Sequence, residues 1–200
     1  MTTLLLVRHA AHDWLGRGVA GRLSGVALND QGSREAKELI ARLQHRPLHA
    51  VYSSPLQRAQ DTAAPLAAAR GLTVVTDDEL SEIDFGEWTG LRFDELERAH
   101  GERWRTWCEH KAVAAAPGGE AFTDVQRRIM ARLEHLRRIH PSETVLLFSH
   151  GDVIKAALAG YLGLPLDHVE RFEIAPASVS IIETGTDWFQ VKLVNGMGRV

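Results

Sequence analysis

Two short, unbroken apolar runs dominate the hydrophobic pattern of the chain. Leu4-Leu5-Leu6-Val7 stops abruptly at Arg8-His9, and Val145-Leu146-Leu147-Phe148 stops at Ser149-His150-Gly151. Runs of this length without alternation predict strands covered on both faces, so two buried strands each end in a histidine. Between them the spacing becomes helical. Ala36, Leu39, Ile40 and Leu43 share one face of a helix that Asn29 or Asp30 caps and that runs to about Gln44. Ala50 to Ser53 reads as another strand. Pro55 suits the first turn of a helix that carries Arg58 and runs toward Gly71, and Leu72 to Val75 is a further short strand. After the second histidine, Val153 to Leu162 reads as a helix ended by Gly163 and Pro165.

Alternating strand and helix predict an α/β fold, three layers deep (α/β/α), around a mostly parallel sheet. Ligands of such sheets bind at the carboxyl ends of the strands, near a switch in strand order, where both histidines belong. Residues from about Asp84 to Phe122 interrupt the alternation with Trp88, Phe93, Trp104 and Trp107, before Pro117-Gly118-Gly119 introduces a long helix to about Ile139. This stretch, at about 84–122, reads as an excursion over the site. From Phe172 to Val194 the chain is rich in alternating β-branched residues and predicts a closing hairpin. With no internal repeat, low-complexity tract or linker, the expectation is a single domain over residues 1–200.

Composition narrows the function without choosing it. The chain has 200 residues, 44% of them hydrophobic and 24% charged, as ordinary globular domains do. Its 23 basic and 26 acidic residues give a net charge of −3, and no basic run substitutes for a basic field, which argues against a nucleic-acid partner. No apolar stretch approaches the roughly 18 residues of a membrane span, and Met1-Thr2-Thr3-Leu4 lacks the features of a secretion signal. The expectation is a cytoplasmic protein with no membrane partner. Cys108 is alone, which excludes an intramolecular disulfide, and reads as a structural thiol. A homodimer through an exposed sheet edge is an open expectation.

Hydrolysis of a phosphate ester without a metal needs a nucleophile, positive charge for the phosphoryl oxygens and an acid for the leaving alcohol. The predicted strand ends supply such groups in Arg8, His9, Arg58 and His150, and the paired N–H donors of arginine match paired phosphate oxygens. On spacing alone, ion pairs with nearby acids such as Asp61 are the commoner fate of Arg8 and Arg58.

In order, Arg8-His9 followed by a small residue, Ser53-Ser54-Pro55-Leu56-Gln57-Arg58-Ala59, Leu80-Ser81-Glu82 ahead of Gly86-Glu87-Trp88-Thr89-Gly90, and Ser149-His150-Gly151 resemble the histidine phosphatase superfamily. That family includes the cofactor-dependent phosphoglycerate mutases, and the resemblance runs from Leu4 to about Leu164. It implies a phosphoglycerate mutase-like fold and a phosphatase, without metal or cofactor, that acts on a small phosphorylated metabolite. It further implies that His9 is transiently phosphorylated, that Arg8, Arg58 and His150 surround the phosphate, and that Glu82 moves the proton. The chemistry agrees, because a neutral imidazole is nucleophilic near neutral pH and a carboxyl group can act first as acid and then as base. Asp84 and Glu87 are competing proton donors.

The chain also departs from the family pattern. Ala10 stands where glycine is usual, a change that matters only if that position needs positive φ. Ala11-His12-Asp13-Trp14-Leu15 replaces a segment that commonly carries Glu-Thr and, after the Trp, an Asn; Leu15 cannot make that hydrogen bond. Arg22, Ser24 and Gly25 resemble substrate-touching residues of the following loop. Asp152 replaces a glycine, and its charge either caps a helix or repels an anionic ligand. His12 reads as a surface residue, and the tryptophans as core fillers. Three rival functions remain: a mutase, which the modest excursion and Leu15 disfavour; a non-catalytic phosphate-binding or interaction protein; and a metal hydrolase using His9, His12 and His150, which lacks a recognisable ligand spacing.

Overall fold

The two apolar runs become neighbouring central strands of one six-stranded sheet. The computed structural model describes residues 1–200 and orders them as β1 (Thr2–Arg8), α1 (Asp30–Arg42), β2 (Ala50–Ser53), α2 (Gln57–Arg70), β3 (Val74–Thr76), α3 (Phe93–Glu109), α4 (Phe122–Ile139), β4 (Thr144–Ser149), α5 (Gly151–Leu162), β5 (Val179–Thr184) and β6 (Phe189–Gly196). Across the sheet the strands run β3-β2-β4-β1-β5-β6. The first four are mutually parallel, and β5 and β6 join antiparallel as the expected hairpin.

Both faces are covered, as unbroken apolar strands require. Leu5 and Val7 of β1, with Leu146 and Phe148 of β4, pack under α1 and α2. Leu4 and Leu6, with Val145 and Leu147, pack under α4 and α5. These eight side chains are at most 2% exposed, and burying each stabilises the fold by about 1.5–3 kcal/mol. The helix that follows β1 and the helix that follows β4 lie on opposite faces. The pair β1/β4 is therefore the switch point, and the crevice beyond its carboxyl ends opens where His9 and His150 stand.

Local signals set most element ends. Asn29 caps α1, its side chain accepting from the Gly32 amide at 2.9 Å. Gly71 and Gly163 end α2 and α5 in the left-handed region, with φ of 63° and 64°. Three expectations shift. Pro55 lies ahead of α2, whose N-cap is Leu56, because Ser54 first continues the sheet through its amide to Phe148 O. The third strand is Val74–Thr76, since Leu72 is taken up by the turn that closes α2 on Ala67 O. Cys108 is exposed on the outer face of α3, so it is not a packed structural thiol. No helix is long and apolar enough to cross a membrane.

Candidate active site

The ends of β1 and β4 are locked together where the site begins: the His9 amide donates to Ser149 O at 2.9 Å, continuing the ladder one residue past each strand. Beyond them opens a cavity of about 290 Å³ whose walls include Arg8, His9, Arg58 and Glu82. His150 stands behind His9, with the two ring centroids 5.1 Å apart. Residues distant in sequence thus meet because two strands, the helix after a third, and the segment after β3 all point at one crevice.

His9 is 2% exposed. Its Nδ1 faces the Ala10 carbonyl at 2.9 Å. A carbonyl only accepts, so Nδ1 carries the proton and Nε2 keeps its lone pair. Burial, then the charges of Arg58 and Arg8, hold its pKa well below the ordinary imidazole value. The ring is therefore neutral and nucleophilic.

Arg58 is 1% exposed and spends one Nη2 donor on Gly21 O at 2.7 Å. Its Nε and Nη1 are buried with no protein partner, as is Nε of Arg8, whose Nη1 is fixed by Ile174 O. Asp61 does not pair with either arginine. A buried guanidinium and a partly buried one, with buried free donors beside a histidine, are costly unless an anion completes them. His150 is held by its Nε2 to Ser54 Oγ at 2.8 Å, and its Nδ1 is likewise free, 4.0 Å from Glu82 Oε2. Burial and then Arg58 lower its pKa well below the usual value.

Glu82 is 9% exposed and accepts from the Ile83 amide at 2.9 Å. Burial first, then the charge of Asp152, push its pKa up to about 7, against the pull of Arg58, the Ile83 amide and Arg8. Its competitors stand elsewhere. Asp84 caps the Gly86 amide and faces Arg22, and Glu87 is exposed outside the cavity.

The departures from the family pattern also find their places. Ala10 is fully buried on the α1/α2 face and does not adopt positive φ, so its methyl carries no backbone strain. Leu15 lines the cavity, and Asp152 does too, so the carboxylate faces the ligand space rather than only capping α5. His12 is not a surface residue: it is 4% exposed, lines the cavity and lies with its ring centroid 4.9 Å from that of His9. Burial and then Arg58 lower its pKa to about 4. Trp88 is a core residue, whereas Trp104 and Trp107 line the cavity with Phe85 and Phe93.

Of the next loop, Gly21 reaches the cavity, but Arg22, Ser24 and Gly25 do not. Arg22 instead donates to Glu82 O at 2.8 Å and pairs with Glu120 at 3.1 Å, steadying the Glu82 segment from outside. Sequence reasoning missed Lys155 and Glu170, which line the cavity, and Thr62, whose hydroxyl receives the Ala10 amide at 2.9 Å. Nothing in their local sequence marks them. No group of three or more His, Cys, Asp or Glu side chains is arranged to hold a metal ion.

Residues 4–196 match the family described as the histidine phosphatase superfamily (branch 1). Phosphoserine phosphatase 1 of Hydrogenobacter thermophilus is 35% identical over 91% of this chain and 86% of its own length. The bifunctional protein Rv2228c of Mycobacterium tuberculosis is 38% identical over 98% of this chain, which spans only 54% of that protein. Among solved structures, YhfR of Bacillus stearothermophilus superposes with a TM-score of 0.94 at 31% identity, covering 100% of this chain and 99% of that one. Mycobacterial glucosyl-3-phosphoglycerate phosphatase Rv2419c, solved with VO3, superposes with a TM-score of 0.87 at 29% identity, covering 98% and 99%. A match that spans nearly the whole chain, in sequence and in fold, settles the kinship: this chain belongs to the histidine phosphatase superfamily (branch 1) and is a histidine phosphatase.

Proposed function

We propose that the chain hydrolyses a small phosphate monoester in two in-line transfers through His9. In the first, the Nε2 lone pair of His9 attacks phosphorus as the ester P–O bond breaks, and protonated Glu82 gives its proton to the departing alkoxide oxygen. In the second, Glu82, now a carboxylate, takes a proton from water as that water attacks the phosphohistidine. The P–N bond breaks, its electron pair returns to Nε2, and inorganic phosphate leaves. Arg8, Arg58 and His150 hold the phosphoryl oxygens throughout.

The observation that carries this reading is the set of unpartnered buried donors around a histidine whose tautomer leaves Nε2 free. They match the equatorial oxygens of a phosphoryl group, where charge must be neutralised in the transition state. A pKa of about 7 lets Glu82 serve as acid and as base near neutrality. Arg22, Ser24 and Gly25 are not assigned a role at the phosphate.

Phosphoserine and glucosyl-3-phosphoglycerate, named for the relatives, are both phosphate monoesters of small alcohols, and a cavity of about 290 Å³ has room for an alcohol of that order. The test is turnover of p-nitrophenyl phosphate with a chelator present. Turnover that persists in wild type and falls at least about a thousandfold in His9→Ala is expected. Undiminished turnover in that variant overturns the reading, and chelator-sensitive turnover would restore the metal hydrolase.

A further inference from the structure

Beside Arg8 and Glu82 the cavity carries a wall of opposed charges. Lys155, Glu170 and Asp152 line it together. Lys155 Nζ is bound to Glu170 Oε2 at 2.5 Å, and the same carboxylate takes the buried Lys111 through Oε1 at 3.0 Å. Lys111 is further held over the Trp107 ring, 3.3 Å from its centroid. Both lysines therefore share one carboxylate partner, Glu170. Asp152 makes no hydrogen bond or ion pair with a protein side chain, and it also borders a smaller void of about 120 Å³ shared with Arg8, Glu82 and Lys155. Burial raises its pKa, while Lys111, Lys155 and its place in the first turn of α5 favour the charged form. Phe85, Trp104 and Trp107 add an apolar wall.

From this arrangement we infer that Asp152 is a specificity-determining residue: it makes the cavity select monoesters whose alcohol is partly apolar and carries no second anion. This inference rests on the phosphatase reading above. The physical reason is a difference between substrates. A carboxylate on the leaving alcohol loses its water at this wall, meets there lysines already paired with Glu170 and faces the Asp152 carboxylate. A neutral alcohol loses nothing comparable and gains contact with the aromatic wall, and an ammonium group gains Asp152 as a partner. An alcohol such as glucosylglycerate, which bears a carboxylate, is disfavoured on this wall even though a relative takes its phosphate ester.

The experiment compares phenyl phosphate bearing a para carboxymethyl group with the methyl ester of the same compound, a pair with nearly the same leaving group and different charge. Wild-type kcat/KM is expected to favour the ester by at least about tenfold, mostly through KM, with the ratio narrowing as ionic strength rises. In Asp152→Asn the ratio should fall severalfold. Equal or better turnover of the carboxylate by wild type overturns the inference, as does a ratio unchanged in a folded Asp152→Asn. If that variant does not fold, the wild-type ratio and its salt dependence decide alone. Loss of turnover of both compounds, and of p-nitrophenyl phosphate, overturns the catalytic reading instead and the inference with it.

Discussion

At the scale of single residues, the chemistry depends on protons being in set places. His9 keeps Nδ1–H on the Ala10 carbonyl, and Glu82 holds a proton up to about pH 7. In the proposed mechanism Glu82 releases the alcohol in its protonated form, so kcat/KM should be flat at mildly acidic pH and fall as pH rises through about 7. The Glu82→Gln variant should lose that limb and about 10²–10⁴ in rate on an alkyl phosphate. On p-nitrophenyl phosphate, whose leaving group needs little protonation, the loss should be much smaller. Equal losses on the two substrates would deny Glu82 its role as acid. Asp152→Asn removes a charge that raises the Glu82 pKa, so its basic limb should move to lower pH. The five core residues were legible in sequence because each sits in a short local motif. His12 was misread as a surface residue: its burial comes with packing beside His9, and no local pattern records that.

At the scale of elements, α1 braces the loop that follows His9. Gly32, in the first turn of α1, lies so close that a Cβ there would stand 2.0 Å from Ala11 O, and the Ala11 amide is itself received by Glu35 of the same helix at 2.9 Å. Gly32→Ala must push the helix and loop apart. It should cost about 1–3 kcal/mol of stability and reduce kcat on p-nitrophenyl phosphate, although Gly32 touches no ligand. Denaturant melts and kinetics check both, and wild-type values would show that the loop does not need this close approach. Helices α1, α2, α4 and α5 and the central strands were readable because period and caps agree, as at Asn29, Gly71 and Gly163, whereas α3 was read only as part of the excursion. The wall beside Asp152 was not readable: Lys155 and Glu170 come from separate elements, and Glu170 takes both Lys155 and Lys111 only when α5 and the turn after it fold against the excursion.

At the scale of the whole molecule, the buried histidines tie stability to pH. His9, His12 and His150 are all depressed below the ordinary 6.5 in the folded state. Their contribution is complete above about pH 6.5 and is lost as pH falls, because the unfolded chain takes up protons that the fold refuses. Glu82 and Asp152 act in the opposite sense, since their raised pKa values cost stability as pH climbs above the ordinary carboxyl range, for Glu82 from 4.5 through about 7. Three histidines outweigh two carboxyls, so the melting temperature should drop on acidification below about pH 6.5. His12→Gln should flatten that drop, and a pH series of thermal melts with an unaltered slope would contradict it. Phosphate or vanadate, by filling the free donors of Arg8 and Arg58, should raise the melting temperature in a concentration-dependent way.

The central claim is a covalent bond to one nitrogen, and rapid quenching of the enzyme with a phosphate-labelled monoester tests it most directly. An alkali-stable, acid-labile phosphate mapped to His9, forming no more slowly than turnover and absent from His9→Ala, is the predicted result. Steady turnover with no label on His9, or label that persists in the variant, would contradict it.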